Sequence, residues 1–244
     1  MVNGRCKKGV GILLVIINSL NNNKYKGVWI AVLIISLWLV SLYNLLSWEF
    51  SFDNPLVYIF VLIQMHLYTG LFITAHDAMH RTISPDNLKL NNFLGQVCTA
   101  LYAAFAFKKL NTKHHQHHQY VHTEKDPDYH SGNFFSWYYH FIMQYISLWQ
   151  ILSMAIIYNV LQVWVPERNL LVFWIAPSLL STLQLFYFGT YLPHKGEHHN
   201  KYQSNTQSKN HLWAFLSCYF FGYHYEHHDS PATPWWKLWQ LKKI

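Results

Sequence analysis

Apolar and polar stretches alternate along this chain on the length scale of a membrane. Residues 28–47 are nearly uncharged and predict a helix long enough to cross a hydrocarbon core of ~30 Å. A turn around Asp53-Asn54-Pro55 follows, and residues 56–75 predict a second span running straight into His76. A polar stretch then extends to Asn133. It is interrupted by the apolar segment 90–107, which holds Gly95, Gln96 and many small residues and is not counted as a crossing. A third span is placed at about 138–158, with Phe134, Phe135, Trp137, Tyr138 and Tyr139 as an aromatic belt at its start. After the turn Pro166-Glu167-Arg168-Asn169, residues 170–192 form the fourth, ended by Pro193, which cannot continue helical hydrogen bonding. Residues 211–223 are apolar but too short to cross, and predict a partly buried helix. Residues 1–27 read as an uncleaved interfacial segment, because the apolar run from Val10 to Leu20 carries no small-residue cleavage site.

The expected fold is therefore an all-α integral membrane protein, one domain over residues 1–244, with about four transmembrane helices and a helical cap outside the membrane. Charge orients it. Four spans put 1–27, 76–133 and 193–244 on one side, and these stretches hold 17 of the 18 Lys and Arg residues. Only Arg168 falls on the other side, so the positive-inside rule makes both termini and the cap cytoplasmic. Charged residues make up 12% of the chain, against roughly 25% in a soluble domain. The net charge of +7 is spread along the chain, whereas nucleic-acid binding calls for a clustered basic face, so no nucleic-acid partner is expected. Cys6, Cys98 and Cys218 are far apart and form no C-x-x-C, so neither a disulfide framework nor a zinc–thiolate site is predicted.

Candidate chemistry lies in the histidines, 17 of 244 residues and mostly clustered. His76 and His80 are four apart and share one helix face. His114, His117 and His118 follow an i, i+3, i+4 pattern, as do His224, His227 and His228, so each trio lines one face. His194 follows the fourth span. Neutral imidazole is the commonest metal ligand, and nine candidate ligands exceed what one ion takes, which points to two metals. Imidazole alone does not choose among iron, zinc, copper and nickel. His115 stands as an alternative to His114, and His198 or His199 as alternatives to His194. Asp77, Asp126 and Glu226 are candidates for the carboxylates that hold metal-bound rings from behind, and Asp128 is either another or part of a turn with Pro127. His66 is rotated by roughly 80° from the His76 face and reads as a buried polar contact or a pocket residue. His122, His130, His140 and His211 read as plain polar or interfacial residues.

Three motifs in this order, H-x-x-x-H, H-x-x-H-H and H-x-x-H-H around two helical hairpins, resemble the membrane fatty-acid desaturase and hydroxylase superfamily. The finer pattern resembles its bacterial-type β-carotene 4-ketolases. It consists of His76-Asp77-Ala78-Met79-His80, Phe188-Gly189-Thr190-Tyr191-Leu192-Pro193-His194, and His224-Tyr225-Glu226-His227-His228 followed by Pro231, Pro234, Trp235 and Trp236. The likeness runs from about residue 28 to the end. Arg81 departs from it, where a small residue is expected.

The resemblance implies two iron ions held by His76, His80, His114, His117, His118, His194, His224, His227 and His228, with O2 as co-substrate. It implies two hydroxylations of the allylic ring carbon 4 of β-carotene, followed by loss of water to the ketone. Phe72, Tyr102, Phe105 and Phe188 are candidates for lining the substrate tunnel. The partners implied are a carotenoid, the lipid bilayer and an external electron donor such as ferredoxin, because no flavin or iron–sulfur motif is present. A carotenoid hydroxylase or an acyl-lipid desaturase would use the same chemistry and differ in product. A reading of another class is a non-enzymatic membrane protein binding metal or haem. Haem would call for single histidines facing each other inside the bilayer, for which only His66 and His140 are candidates. A carrier would call for ionisable residues through the spans, which these almost lack.

Overall fold

The computed structural model describes residues 23–242, so most of the expected interfacial segment lies outside the described residues. All regular structure among the described residues is helical. Helix α1, Lys26–Leu46, has 21 residues, about 31 Å at the ordinary helical rise. Its buried side is a stripe of Gly27, Ala31, Ile34 and Trp38, while Leu33, Val40 and Tyr43 on other faces are exposed. A helix that is apolar all round suits a lipid surrounding. Helix α2, Leu56–Met79, has 24 residues. It runs one turn past the expected end at residue 75, so His76 and Asp77 belong to the helix itself. Nothing in Ala75-His76-Asp77-Ala78-Met79 breaks helical hydrogen bonding. The helix stops where Arg81 takes φ +60°.

Helix α3, Leu88–Ala103, is capped by the Asn87 side chain, which accepts from Leu90 N–H at 3.0 Å. Its 16 residues lie against α2 and are too few to cross a bilayer. Helix α4, Phe107–Tyr120, carries the second histidine cluster. The expected straight span at 138–158 does not form. Its residues belong to α5, Phe134–Tyr145, and α6, Leu148–Leu161, which are bent by 86° at Ile146-Ser147. The bend has local causes. The Ser147 hydroxyl caps α6 by accepting from Gln150 N–H at 3.2 Å. Lys109 Nζ donates to the Tyr145 and Ile146 carbonyls at 2.9 and 2.7 Å, replacing partners that a continued helix would supply.

Glu167–His194 forms the long helix α7, 28 residues with π-turns at Leu170–Ile175 and Tyr187–Tyr191. Pro193 does not end it, contrary to expectation. The second π-turn directly precedes Pro193 and takes up its missing N–H by local widening. The start of α7 is tied to the α1–α2 turn, where Asn169 Nδ2 donates to the Leu45 and Trp48 carbonyls. Mid-bundle, Thr69 of α2 meets Ser181 and Gln184 of α7 through hydrogen bonds of 2.9 and 2.5 Å. Helix α6 makes the return path, since Gln150 bonds Ala103 O near one end and the Tyr158 hydroxyl bonds Glu167 near the other.

Among the described residues, three helices (α1, α2 and α7) are long and apolar enough to cross a membrane, and the bent pair passes the same test together. The segment expected as one helix over 211–223 is α8, His211–Cys218, ending in two left-handed residues, Tyr219 and Phe220. These turn the chain into α9, His224–Asp229, and then α10, Trp235–Leu238.

If Lys109 holds the break, Lys109→Met will cost about 1.5–3 kcal/mol, the worth of a hydrogen bond from a charged donor. Thermal unfolding in detergent will show a lowered midpoint that Lys109→Arg largely restores. An unchanged midpoint would mean that the two carbonyls are met in another way.

Candidate metal centre

The histidine clusters meet at one end of the bundle. The last turn of α2 brings His76 and His80, the end of α7 brings His194, α4 brings His114, His117 and His118, and α9 brings His224, His227 and His228. Their ring nitrogens form two groups, each with the donor atoms within 4.8 Å of one another: His76, His80, His114, His118 and His227, and His117, His194, His224 and His228. The helical trios do not each serve one point. His114 and His118, four apart, share the first group while His117 turns to the second. His224 and His228 share the second while His227 turns to the first. Adjacent helical residues diverge by about 100°, so one short helix faces two centres. The groups abut, with His118 stacked on His228 at a centroid distance of 4.2 Å.

The residues fit bound cations. A ring nitrogen offers one in-plane site, a proton or a lone pair. Yet His224 Nε2 lies 2.8 Å from His194 Nε2 and 3.0 Å from His228 Nε2. His228 Nε2 also lies 3.1 Å from His117 Nε2. These contacts exceed what hydrogen bonds can satisfy, whereas a cation at the common point accepts every lone pair. In the first group both ring nitrogens of buried His76 lack a hydrogen-bond partner. Burial first, and neighbouring histidines second, favour the neutral ring at His80, His114, His227 and His228. The His80 pKa is pushed down to about 3, and those of His114, His227 and His228 lie well below the usual value.

Two rings of the second group are set from behind. His117 Nδ1 bonds Asp126 Oδ1 at 2.9 Å, and His194 Nδ1 bonds the Gln203 carbonyl at 3.0 Å. Both partners are acceptors, so each Nδ1 carries the proton and each Nε2 lone pair faces the centre. Burial lowers the His117 pKa, but Asp126 and Asp128 together outweigh it and raise it. Asp126 also accepts the backbone N–H groups of His122 and Asp128. Asp128 is pushed up to about 6, by burial first, and its carboxylate accepts from the Tyr145 hydroxyl.

Of the three carboxylates expected behind the rings, Asp126 alone hydrogen-bonds one. Asp77 Oδ1 stays 3.6 Å from His76 Nδ1, while Oδ2 accepts the Trp235 backbone N–H at 3.0 Å, tying α10 to α2. Glu226 is turned away, about 200° round α9 from His224, and bonds Thr206 and Lys242 instead. His115 bonds Asn111 O, and neither it nor His198 or His199 joins either group. His66 stacks on Tyr219 at 4.3 Å. His122, set aside on sequence grounds, braces the site: Nε2 bonds the His194 carbonyl at 3.1 Å. No spacing rule points to that bond or to Gln203.

A cavity opens onto both groups, reaching His76 and His114 of the first and His117 and His224 of the second. Phe72, Tyr102 and Phe105 line it as expected. Phe188 does not; it packs on Trp213 on the far side of α7, where it borders separate depressions. Phe141, Ile142 and Tyr145 of α5 line the cavity and were not foreseen.

The fatty acid desaturase family model matches residues 53–166 and 134–244. The chain belongs to the fatty acid desaturase family. Among its relatives, a protein of Haematococcus lacustris named β-carotene 4-ketolase 3 is 42% identical over 198 residues, covering 76% of this chain and 62% of the relative. The zeaxanthin 4-ketolase of Chlamydomonas reinhardtii is 43% identical over 73% of this chain and 42% of its own length. A β-carotene ketolase of Paracoccus sp. (strain N81106 / MBIC 01143) is 38% identical over 70% of this chain and 73% of its own. The match thus spans 62% of the length of the Haematococcus relatives. No solved structure matches the chain.

Asp126→Asn is expected to weaken metal retention about 10–100-fold, the usual effect of losing a ligand's backing partner. Metal content after dialysis against graded chelator measures it, with Glu226→Gln close to the parent protein. Equal retention by all three would remove Asp126 from the role.

Proposed function

We propose that the chain is an integral membrane oxygenase that oxidises carbon 4 of a β-carotene ring to the ketone. Two irons would be held by His76, His80, His114, His118 and His227, and by His117, His194, His224 and His228. The observation that carries the reading is two abutting histidine groups opening onto one largely apolar cavity. It stands beside 36–44% identity to relatives named for ketolase activity. Each round consumes one O2, two electrons and two protons, places one oxygen atom on the carbon and releases one water. Two rounds give the geminal diol, and loss of water leaves the ketone. The irons would supply the reductive activation of O2. Electrons come from an external carrier such as ferredoxin.

The chain's own residues do the rest. Phe72, Phe105 and Phe141 shape an apolar approach for the ring and limit water at the reacting carbon. His76, His114, His117 and His224 end that approach at both groups, so a ring lodged there presents its weak allylic C–H bonds to them. Asp126 and the Gln203 carbonyl fix the orientation of His117 and His194. The bilayer delivers the substrate, and the histidine end lies on the cytoplasmic side. A reporter fused after Ile244 will read cytoplasmic, and one inserted at Arg168 will read the opposite side; the reverse result overturns the orientation.

Expression in a bacterium that makes β-carotene, followed by chromatography with mass detection, tests the activity. Keto-carotenoids are expected, and His117→Ala or His227→Ala is expected to abolish them while protein still accumulates in the membrane. Purified active protein is expected to hold two irons per chain. Alcohols alone would assign a hydroxylase, unchanged β-carotene would point to acyl-lipid substrates, and active protein with one zinc and no iron would overturn the centre.

A further inference from the structure

The cavity is largely apolar, and its polar groups differ in how they are engaged. The Tyr102 hydroxyl bonds Thr182 Oγ1 at 2.8 Å and Ser181 Oγ at 3.1 Å, and Thr182 also bonds the Ser178 carbonyl. These hydroxyls serve the packing of α3 on α7. The other wall carries Tyr145 and Asp128. The Tyr145 hydroxyl donates to the Asp128 carboxylate, and no group among the described residues donates to the Tyr145 oxygen. Both residues are anchored independently of any ligand. Lys109 holds the Tyr145 carbonyl at 2.9 Å, and Trp137 Nε1 holds the Asp128 carbonyl at 2.6 Å. Asp128 Oδ2 lies 3.9 Å from His117 Nδ1, so the pair stands beside the four-histidine group.

A hydrocarbon ring has no use for such a wall, but its first oxidation product does. The alcohol formed at the ring carbon carries one donor and acceptor that the starting carotenoid lacks. A ketone results only if that alcohol stays, or rebinds, with the same carbon at the histidines. A site that hydrogen-bonds a hydroxyl selects for the molecule that has one. We propose that Tyr145 and Asp128 form an alcohol subsite: the new ring hydroxyl donates to the Tyr145 oxygen and is held for the second oxidation, so that ketone leaves rather than alcohol. This inference rests on the ketolase reading above.

The test supplies β-carotene and, separately, its 4-hydroxy derivative to membranes containing the full chain, O2 and a reduced electron donor. Tyr145→Phe is expected to raise the alcohol-to-ketone ratio from β-carotene about fivefold, as for the loss of one ordinary hydrogen bond. Its kcat/KM for the alcohol should fall by a similar factor relative to that for β-carotene. Asp128→Asn should shift the ratio the same way, and it carries the test if the Tyr145 variant fails to accumulate. An unchanged ratio overturns the proposal, as does an equal loss on both substrates, which marks Tyr145 as structural. A shift produced by Thr190→Val, the remaining hydroxyl on the cavity wall, and not by Tyr145→Phe also overturns it. Parent protein that oxidises neither compound removes the ketolase reading itself, a different result.

Discussion

A ring nitrogen can enter one in-plane interaction, and at His224 and His228 two neighbours claim it. Packing that crowds neutral imidazoles in this way makes sense around cations. The rest of the chain serves that crowding. Helices α2 and α7 deliver His76 and His194 at the same end because the far end of α7 is tied to the α1–α2 turn through Asn169. Helix α4 and the short α9 close over them from outside the spans. Burial then removes water from rings such as His114 and His227 and favours their unprotonated form, the state in which imidazole coordinates metal.

The break between α5 and α6 links the metal end to the cavity. A straight helix there would carry Phe141 and Tyr145 past the histidines. The 86° bend lays α5 across the opening, so its side chains wall the cavity and Tyr145 meets Asp128. Lys109, on the helix that carries the second histidine cluster, holds the bend by its two carbonyls. Cavity wall and histidine cluster are thus set by the same helix.

Several site residues resisted sequence reading for identifiable reasons. Glu226 sits inside a histidine motif yet points away, because two positions along a helix is about 200° of rotation. Asp77, also inside a motif, is engaged by the Trp235 backbone, a partner 158 positions away. His122 and Gln203 act through one ring nitrogen and one main-chain carbonyl, and neither leaves a mark in spacing. Phe188 has the aromatic character of a tunnel residue but faces Trp213, while its neighbour Gly189 is the one that faces the cavity, packed against Phe221.

Local chemistry was legible because it depends on short intervals. Apolar runs of about twenty residues predict long helices, and four-residue spacing predicts paired imidazoles, through rise and turn alone. The helical class and the nine histidines that converge follow from those intervals. The tertiary structure alone decided the division of the nine into five and four, the bend at Ile146-Ser147, and the cavity wall of Tyr145 and Asp128. These depend on contacts between separate segments, from 17 positions apart for Tyr145 and Asp128, through 36 for Lys109 and Tyr145, to 111 for His117 and His228, which no repeat along the chain encodes.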